Sequence, residues 1–306
     1  MLETVTDLRK TSDEAPLRRG GGMKYAPQAL PRRRLLLPAL ALGGLLLLAG
    51  CAREAIKHYN RGVDLFDQGK YDEAIAEYRE AIRLKQDYTK AHYNLGAALG
   101  KKGETEEAIK EYHEAIRLKP KFAAAHCNLG AVLGKKGETE EAIKELREAI
   151  RLDPKDAVAH YNLGVTLGKK GETEEAIKEY REAIRLKPDY AHAHNNLGWA
   201  LLKKGETDEA IKECREAIRL VPGHTEAHHS LGVALRDKGE TDEAIKEFRE
   251  AIRLKPDHSE ALRDLAMVLD KQGKRKEARG YWERALKVEE DPAWIEKIKK
   301  RLAEPR

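Results

Sequence analysis

Six histidines stand 34 residues apart, His58, His92, His126, His160, His194 and His228, and five asparagines follow two positions later, Asn60, Asn94, Asn128, Asn162 and Asn196. A periodic histidine array raises the question of metal chemistry, and a metal-dependent enzyme is the remote reading it would support. Zinc needs ligand nitrogens about 2.0–2.1 Å away. Equivalent positions on packed neighbouring helices are separated by roughly 8–10 Å or more. No HExxH, no CxxC and no phosphate-cradling glycine loop occurs. No Ser/His/Asp or paired-carboxylate arrangement stands out, and the adjacent His228 and His229 point to different sides of a helix. The expectation is a non-enzyme that needs neither metal nor cofactor.

The asparagines have a different chemistry. A carboxamide both donates and accepts, so a row of them can pair with the backbone of an extended peptide whatever its sequence. Helix formation does not explain the row, because asparagine is a middling helix former that prefers caps. The competing reading is a solvated residue of the repeated unit. Lys101, Lys135, Lys169 and Lys203 form a second row, either a solvated edge or an attractor of acidic ligands that acts more on rate than on affinity. Cys127 and Cys214 occupy different places in the repeat, too far apart for an undistorted disulfide, and read as packing residues.

These rows imply the elements that carry them. From Ala55 the chain repeats every 34 residues in seven units, 55–88, 89–122, 123–156, 157–190, 191–224, 225–258 and 259–292. The best-preserved stretch is NLGAALGKKGETEEAIKEYHEAIRLKP, residues 94–120. A glycine such as Gly96 and alanines such as Ala108 and Ala115 let two helices approach closely. Gly103 and its equivalents suit a left-handed turn between them. Acidic residues after each turn complement a helix dipole, and Glu106–Lys110, Glu140–Lys144 and Glu174–Lys178 are spaced for i,i+4 pairs. Pro120, Pro154, Pro188, Pro222 and Pro256 close five units. The end units are less regular, and residues 293–306 read as a capping helix with Trp294, Ile295, Ile298 and Leu302 on one face.

This pattern resembles the tetratricopeptide repeat family. The resemblance implies an all-α fold, a right-handed superhelical solenoid of seven helix-turn-helix repeats plus the capping helix, with the first helix of each repeat lining the concave groove. It places the asparagine ladder in that groove, with Tyr59, Tyr93, Tyr161, Ala97, Ala131, Val165 and Trp199 beside it. Gly100, Gly134 and Gly168 leave room for close backbone approach. The AHYNLG and AHNNLG stretches resemble the asparagine-bearing repeats of O-linked N-acetylglucosamine transferases, from which only the groove is carried over. The family's carboxylate clamp puts lysine at the fifth position, where this chain has mainly tyrosine. The recurring histidine falls where the family packs a bulky side chain between helices.

Ahead of the repeats, Arg32-Arg33-Arg34 precede the uncharged run LLLPALALGGLLLLAG and then Cys51. A basic stretch, a short apolar stretch and small residues have the layout of a secretory signal. Leu48-Ala49-Gly50-Cys51 resembles a bacterial lipobox, which implies a leader over residues 1–50, acylation of Cys51 and a tether of residues 51–54. Met23 is the better-placed start, and Ala52 resembles the sorting pattern of outer-membrane lipoproteins facing the periplasm. Of 58 Lys/Arg and 53 Asp/Glu, residues 1–50 hold eight and four, so the remainder carries 50 and 49 and offers no basic domain to track phosphates.

The resulting expectation is a lipid-anchored scaffold that binds extended segments of other proteins near a membrane, in cell-envelope assembly. The alternative is a self-associating structural component.

Overall fold

The computed structural model describes residues 38–303, with side chains from Gly50 onward. Most of the leader, including Met23 and Arg32–Arg34, lies outside the described residues, as do residues 304–306 at the end of the capping segment. Fifteen α-helices and no strand occur among the described residues. They fall into two compact units, one ending at Gly137 and one beginning at Glu138.

The amino-terminal unit holds α1 (Pro38–Asp67), α2 (Tyr71–Leu84), α3 (Thr89–Lys102), α4 (Thr105–Leu118) and α5 (Ala123–Lys136). Helix α1 runs without a break from the apolar stretch through Cys51 into the first repeat. The carboxy-terminal unit opens with α6 (Thr139–Leu152), α7 (Ala157–Lys170), α8 (Thr173–Leu186) and α9 (Ala191–Lys204). It continues with α10 (Thr207–Leu220), α11 (Thr225–Lys238), α12 (Thr241–Leu254) and α13 (Ser259–Lys271), and ends with α14 (Arg275–Val288) and α15 (Pro292–Ala303). In each unit, consecutive helices pack as the antiparallel pairs that the 34-residue period requires.

The two helices of a pair are built differently. The second is amphipathic: on α4, Ala108, Tyr112 and Ala115 form one buried stripe, with Glu106 and Glu107 in the first turn and Arg117 in the last. The first is buried almost all round, since residues 91–99 of α3 are buried in an unbroken run. A helix so enclosed needs room, and glycine makes it. A Cβ on Gly232 would lie 2.6 Å from the Phe248 ring. Between the helices, Gly103 adopts φ 83°, and the Glu104 N–H donates back to the Leu99 carbonyl at 3.0 Å, closing the helix end.

The charge pairing differs from the expected one. The i,i+4 partners Lys110 and Lys144 do not take Glu106 and Glu140. Those carboxylates meet Lys136 and Lys170 on the next repeat's first helix, both at 2.8 Å. Many of the intrahelical pairs that form are i,i+3 forks, such as Arg117 on Glu114 at 2.6 Å, while Arg279 meets Glu283 at i,i+4 on α14 at 3.1 Å. A guanidinium closes a two-point fork that an ammonium cannot.

Helix α15 covers the end of the array. Ile298 is fully buried against the carboxy-terminal core, the Arg263 guanidinium stacks on Trp294 at 4.3 Å, and Arg301 pairs with Asp270 at 2.8 Å.

Candidate functional site

The asparagine row is placed by the first helices of successive repeats, and its five carboxamides differ in burial. Asn94, Asn128 and Asn162 are buried, Asn196 is half-buried and Asn60 is exposed. Asn94 donates to the Tyr59 hydroxyl at 3.1 Å and Asn128 to the Tyr93 hydroxyl at 3.0 Å, and Asn196 reaches Tyr161 at 3.2 Å. Each is a bond from one repeat to the ring of the repeat before it. Tyr93 and Tyr161, expected beside a peptide, are themselves buried acceptors. An amide held this way gives a buried phenol oxygen a hydrogen bond. A second ring layer closes the same seam, with Tyr93 on Phe122 and Tyr161 on Tyr190 at ring-centroid distances of 4.9 Å.

The histidines hold each repeat's two helices together. Nδ1 of His92, His160, His194 and His228 lies 2.6 Å from a carboxylate oxygen of Glu111, Glu179, Glu213 and Glu247 respectively, 19 residues on. Nε2 of the same rings donates to a carbonyl six residues back, for example Pro188 at 3.0 Å and Pro222 at 3.1 Å. Carboxylates and carbonyls only accept, so a ring set between the two makes both bonds as a donor when it is protonated, and the arrangement favours the imidazolium. Burial opposes that charge at His92, His160 and His194. The hydrogen bonds and the charge of the glutamate outweigh it and hold each pKa above the ordinary histidine value. At His228 the Glu247 hydrogen bond is the largest influence and acts in the same direction. Among the described residues no three His, Cys, Asp or Glu side chains converge as metal ligands.

Four further histidines were not picked out by their spacing. Where earlier repeats pair aromatic rings, the fifth and sixth put His224 and His258, and His229 stacks on His258 at 5.1 Å. His192 Nδ1 lies 3.0 Å from His224 Nε2, and burial and then the His192 charge push the His224 pKa down. His229 Nε2 and Arg236 both reach Asp264, each at 2.8 Å. The signal was the last residue of each unit, which reads Tyr88, Phe122, Asp156, Tyr190 and then His224, His258. Cys127 and Cys214 are buried thiols, and burial drives the Cys214 pKa up to about 12.

One accessible cleft lies in the carboxy-terminal unit. A cleft of about 250 Å³ opens where the end of α7 faces α9, with α8 as its floor. Trp199 stands at its edge, 40% exposed, one of few large apolar side chains so placed. Asn196, Lys169 and Lys203 share the rim, and Gly168 lies in the wall. A Cβ at Gly168 would meet Tyr180 Oη at 3.7 Å and Ala176 at 3.8 Å, which are ordinary contacts, so packing does not demand glycine there. Its absent side chain keeps the cleft open. Of the residues expected to bind, the structure therefore joins Asn196, Trp199, Lys169 and Lys203, and leaves Lys101 and Lys135 outside this cleft as exposed side chains on α3 and α5.

Cys51 is exposed on α1, four residues before the fully buried Ala55. No helix among the described residues is long and apolar enough to cross a membrane.

A family model described as the cilia and flagella-associated protein 70 C-terminal domain matches residues 59–261, more than half of the chain, and one described as the tetratricopeptide repeat matches residues 235–298. No curated protein sequence matches. Among solved structures, YrrB, described as "a TPR protein with an unusual peptide-binding site", is 26% identical with a TM-score of 0.51. The match covers 60% of this chain and 95% of that one. A tetratricopeptide repeat protein from Parabacteroides merdae superposes with a TM-score of 0.64 at 15% identity, over 82% of this chain and all of that one. PilF of Pseudomonas aeruginosa gives a TM-score of 0.62 at 21% identity, over 69% and 96%. The last two likenesses are of fold alone.

Proposed function

Because the chain belongs to the tetratricopeptide-repeat family, in the group described as the cilia and flagella-associated protein 70 C-terminal domain, we propose that it is a non-catalytic scaffold that holds an extended segment of another protein in the α7–α9 cleft. The carrying observation is the open cleft with Trp199 exposed at its rim. Its volume of about 250 Å³ is below the roughly 300 Å³ at which small-molecule pockets begin, and suits one or two peptide side chains. The peptide-binding site named for YrrB supports the same use of the fold. Asn196, half-exposed, is the ladder carboxamide best placed to meet peptide backbone beside the tryptophan.

The scaffold works at a membrane, held by an acylated Cys51. A lipid there sits one helical turn from the first buried residue of the array, so partners are drawn from proteins near the bilayer. In a bacterium with two membranes, that surface is the periplasmic face of the outer one. The partners are proteins of envelope assembly.

The cleft is tested by filling it. Gly168→Leu puts a side chain into the opening while improving helix propensity by roughly 0.5–1 kcal/mol. Peptides selected from a displayed random library on the parent chain should lose binding to Gly168→Leu and to Trp199→Ala, with thermal midpoints kept. Selected peptides that bind all three forms equally would place the binding elsewhere.

A further inference from the structure

We infer that the side chain seated in this cleft is neutral and tipped by a carboxamide, as in glutamine or asparagine, whose oxygen accepts a hydrogen bond from the Tyr180 hydroxyl at the floor. This inference rests on the cleft being the binding site. It adds the chemical class of what enters and the residue that recognises it.

Tyr180 stands on α8 among the side chains that line the cleft, and only 5% of it is exposed. Its hydroxyl borders the space that Gly168 leaves, since a Cβ there would lie 3.7 Å from Oη. Burial pushes the Tyr180 pKa above the ordinary phenol value, so the oxygen keeps its proton. Asn196, whose Nδ2 donates to Tyr161 at 3.2 Å, also acts on the Tyr180 oxygen as a hydrogen-bond donor. The phenol therefore receives a bond from the protein but gives its own proton to no described residue. A phenolic hydroxyl donates as well as accepts, so what this one lacks is an acceptor.

The walls decide the rest. Val165, Ala176 and Ala200 line the cleft with apolar carbon, and Trp199 borders it. An apolar tip would leave the Tyr180 proton without an acceptor once the ligand shuts out water, and an orphaned donor costs more than a made bond gains. A carboxylate tip would give up its hydration for a single hydroxyl at an apolar floor. A carboxamide brings the acceptor without the charge, on a short methylene stem that the walls can cover.

The same position in other repeats does not offer this. It holds Leu146, Cys214, Phe248 and Trp282, which have no hydroxyl, or Tyr78 and Tyr112, whose hydroxyls are closed off from solvent. At Tyr78, Phe66 takes the place of Gly168, and at Tyr112, Val132 takes the place of Ala200. Small residues at both places leave the Tyr180 hydroxyl open to the cleft.

The test uses the full chain and peptides selected on it from a displayed random library, keeping those that lose binding in Gly168→Leu. Glutamine or asparagine should be enriched at one position of these peptides. Replacing it by its apolar isostere, Met for Gln or Leu for Asn, should weaken binding to the parent chain by about threefold to tenfold, read by fluorescence anisotropy. Tyr180→Phe should weaken the carboxamide peptide by the same factor and leave the isostere's affinity unchanged. Phe248 fills the equivalent place on α12, so the ring without its hydroxyl suits the packing, and the thermal midpoint should be kept. Selected peptides without an enriched carboxamide, or a carboxamide and isostere that bind the parent equally, would overturn the inference and leave the cleft as the site. A carboxamide advantage that survives Tyr180→Phe would overturn it as well. If every selected peptide binds Gly168→Leu as well as the parent, the cleft is not the site, and the scaffold reading and this inference fail together.

Discussion

At the scale of single residues, the most informative groups are the histidines, because their two nitrogens report what surrounds them. His92, His160, His194 and His228 face Glu111 and Glu114, Glu179 and Glu182, Glu213 and Glu216, and Glu247 and Glu250, with a backbone carbonyl at the other nitrogen. Their folded-state pKa values are raised, so the native chain holds these protons more tightly than the unfolded chain, whose histidines titrate near about 6.5. The stability they contribute is complete below about 6.5 and is lost as the pH climbs through the folded values. His224 runs the other way: burial and His192 lower its pKa, so its contribution is present above about 6.5 and is lost as the pH falls. Thermal melts should therefore show a higher midpoint at pH 6.5 than at pH about 8.5. Glu179→Gln with Glu213→Gln should flatten that dependence. A parent midpoint that rises with pH over this range would contradict the paired-imidazolium arrangement. The same scale explains the asparagines. Once an amide is buried against a phenol, replacing it removes a structural bond, so loss of binding in such a variant does not report on a ligand.

At the scale of the helix, glycine has two roles that look alike in the repeat. Gly232 faces the Phe248 ring at a distance no Cβ tolerates, whereas Gly100 has nothing within 4 Å of where a Cβ would stand. Gly232→Ala should destabilise by about 1–3 kcal/mol through overpacking. Gly100→Ala should stabilise by roughly 0.5–1 kcal/mol, because only the conformational cost of glycine is removed. Denaturant unfolding of the two variants should therefore give midpoints on opposite sides of the parent. A common sign would mean that the helix pairs relax around an added methyl. The cleft is built from the same difference. Gly168 belongs to the tolerant class, so its openness is free to serve a ligand.

At the scale of the whole molecule, the scaffold reading joins an array of paired helices to a single exposed thiol at its amino-terminal side. Cys51 lies on a helix that continues into the first repeat, with Lys57 already bound to Glu54 within the next turn. An acyl group there has almost no tether. One acyl chain binds a bilayer weakly, while two or more hold a protein durably, at about 0.8 kcal/mol per buried methylene. The intact mass of the protein extracted from membranes is expected to correspond to a chain beginning at Cys51 with acyl groups added. A mass that includes Met1 or Met23 would remove the anchor and free the array from the membrane-proximal partners proposed for it.

Most of the fold was legible in the residues. The 34-residue period, the turn glycines and the amphipathic second helices are local properties, and Ala108, Tyr112 and Ala115 had only one face to bury. The seven-unit reading and the covering of the last apolar surface around Ile298 follow from the same local rules. Only the tertiary structure decided which polar side chains are free. Asn128 and Asn196 occupy the same place in the repeat, and each is followed by Leu-Gly. One is buried on a tyrosine hydroxyl and the other stands half-open beside Trp199. Glu106 is spaced for Lys110 and pairs with Lys136. In each case the partner comes from the neighbouring repeat, about 30 residues away along the chain. Helical periodicity fixes the face a side chain takes, but the atoms it meets there belong to another helix, and their distances exist only once the helices are packed.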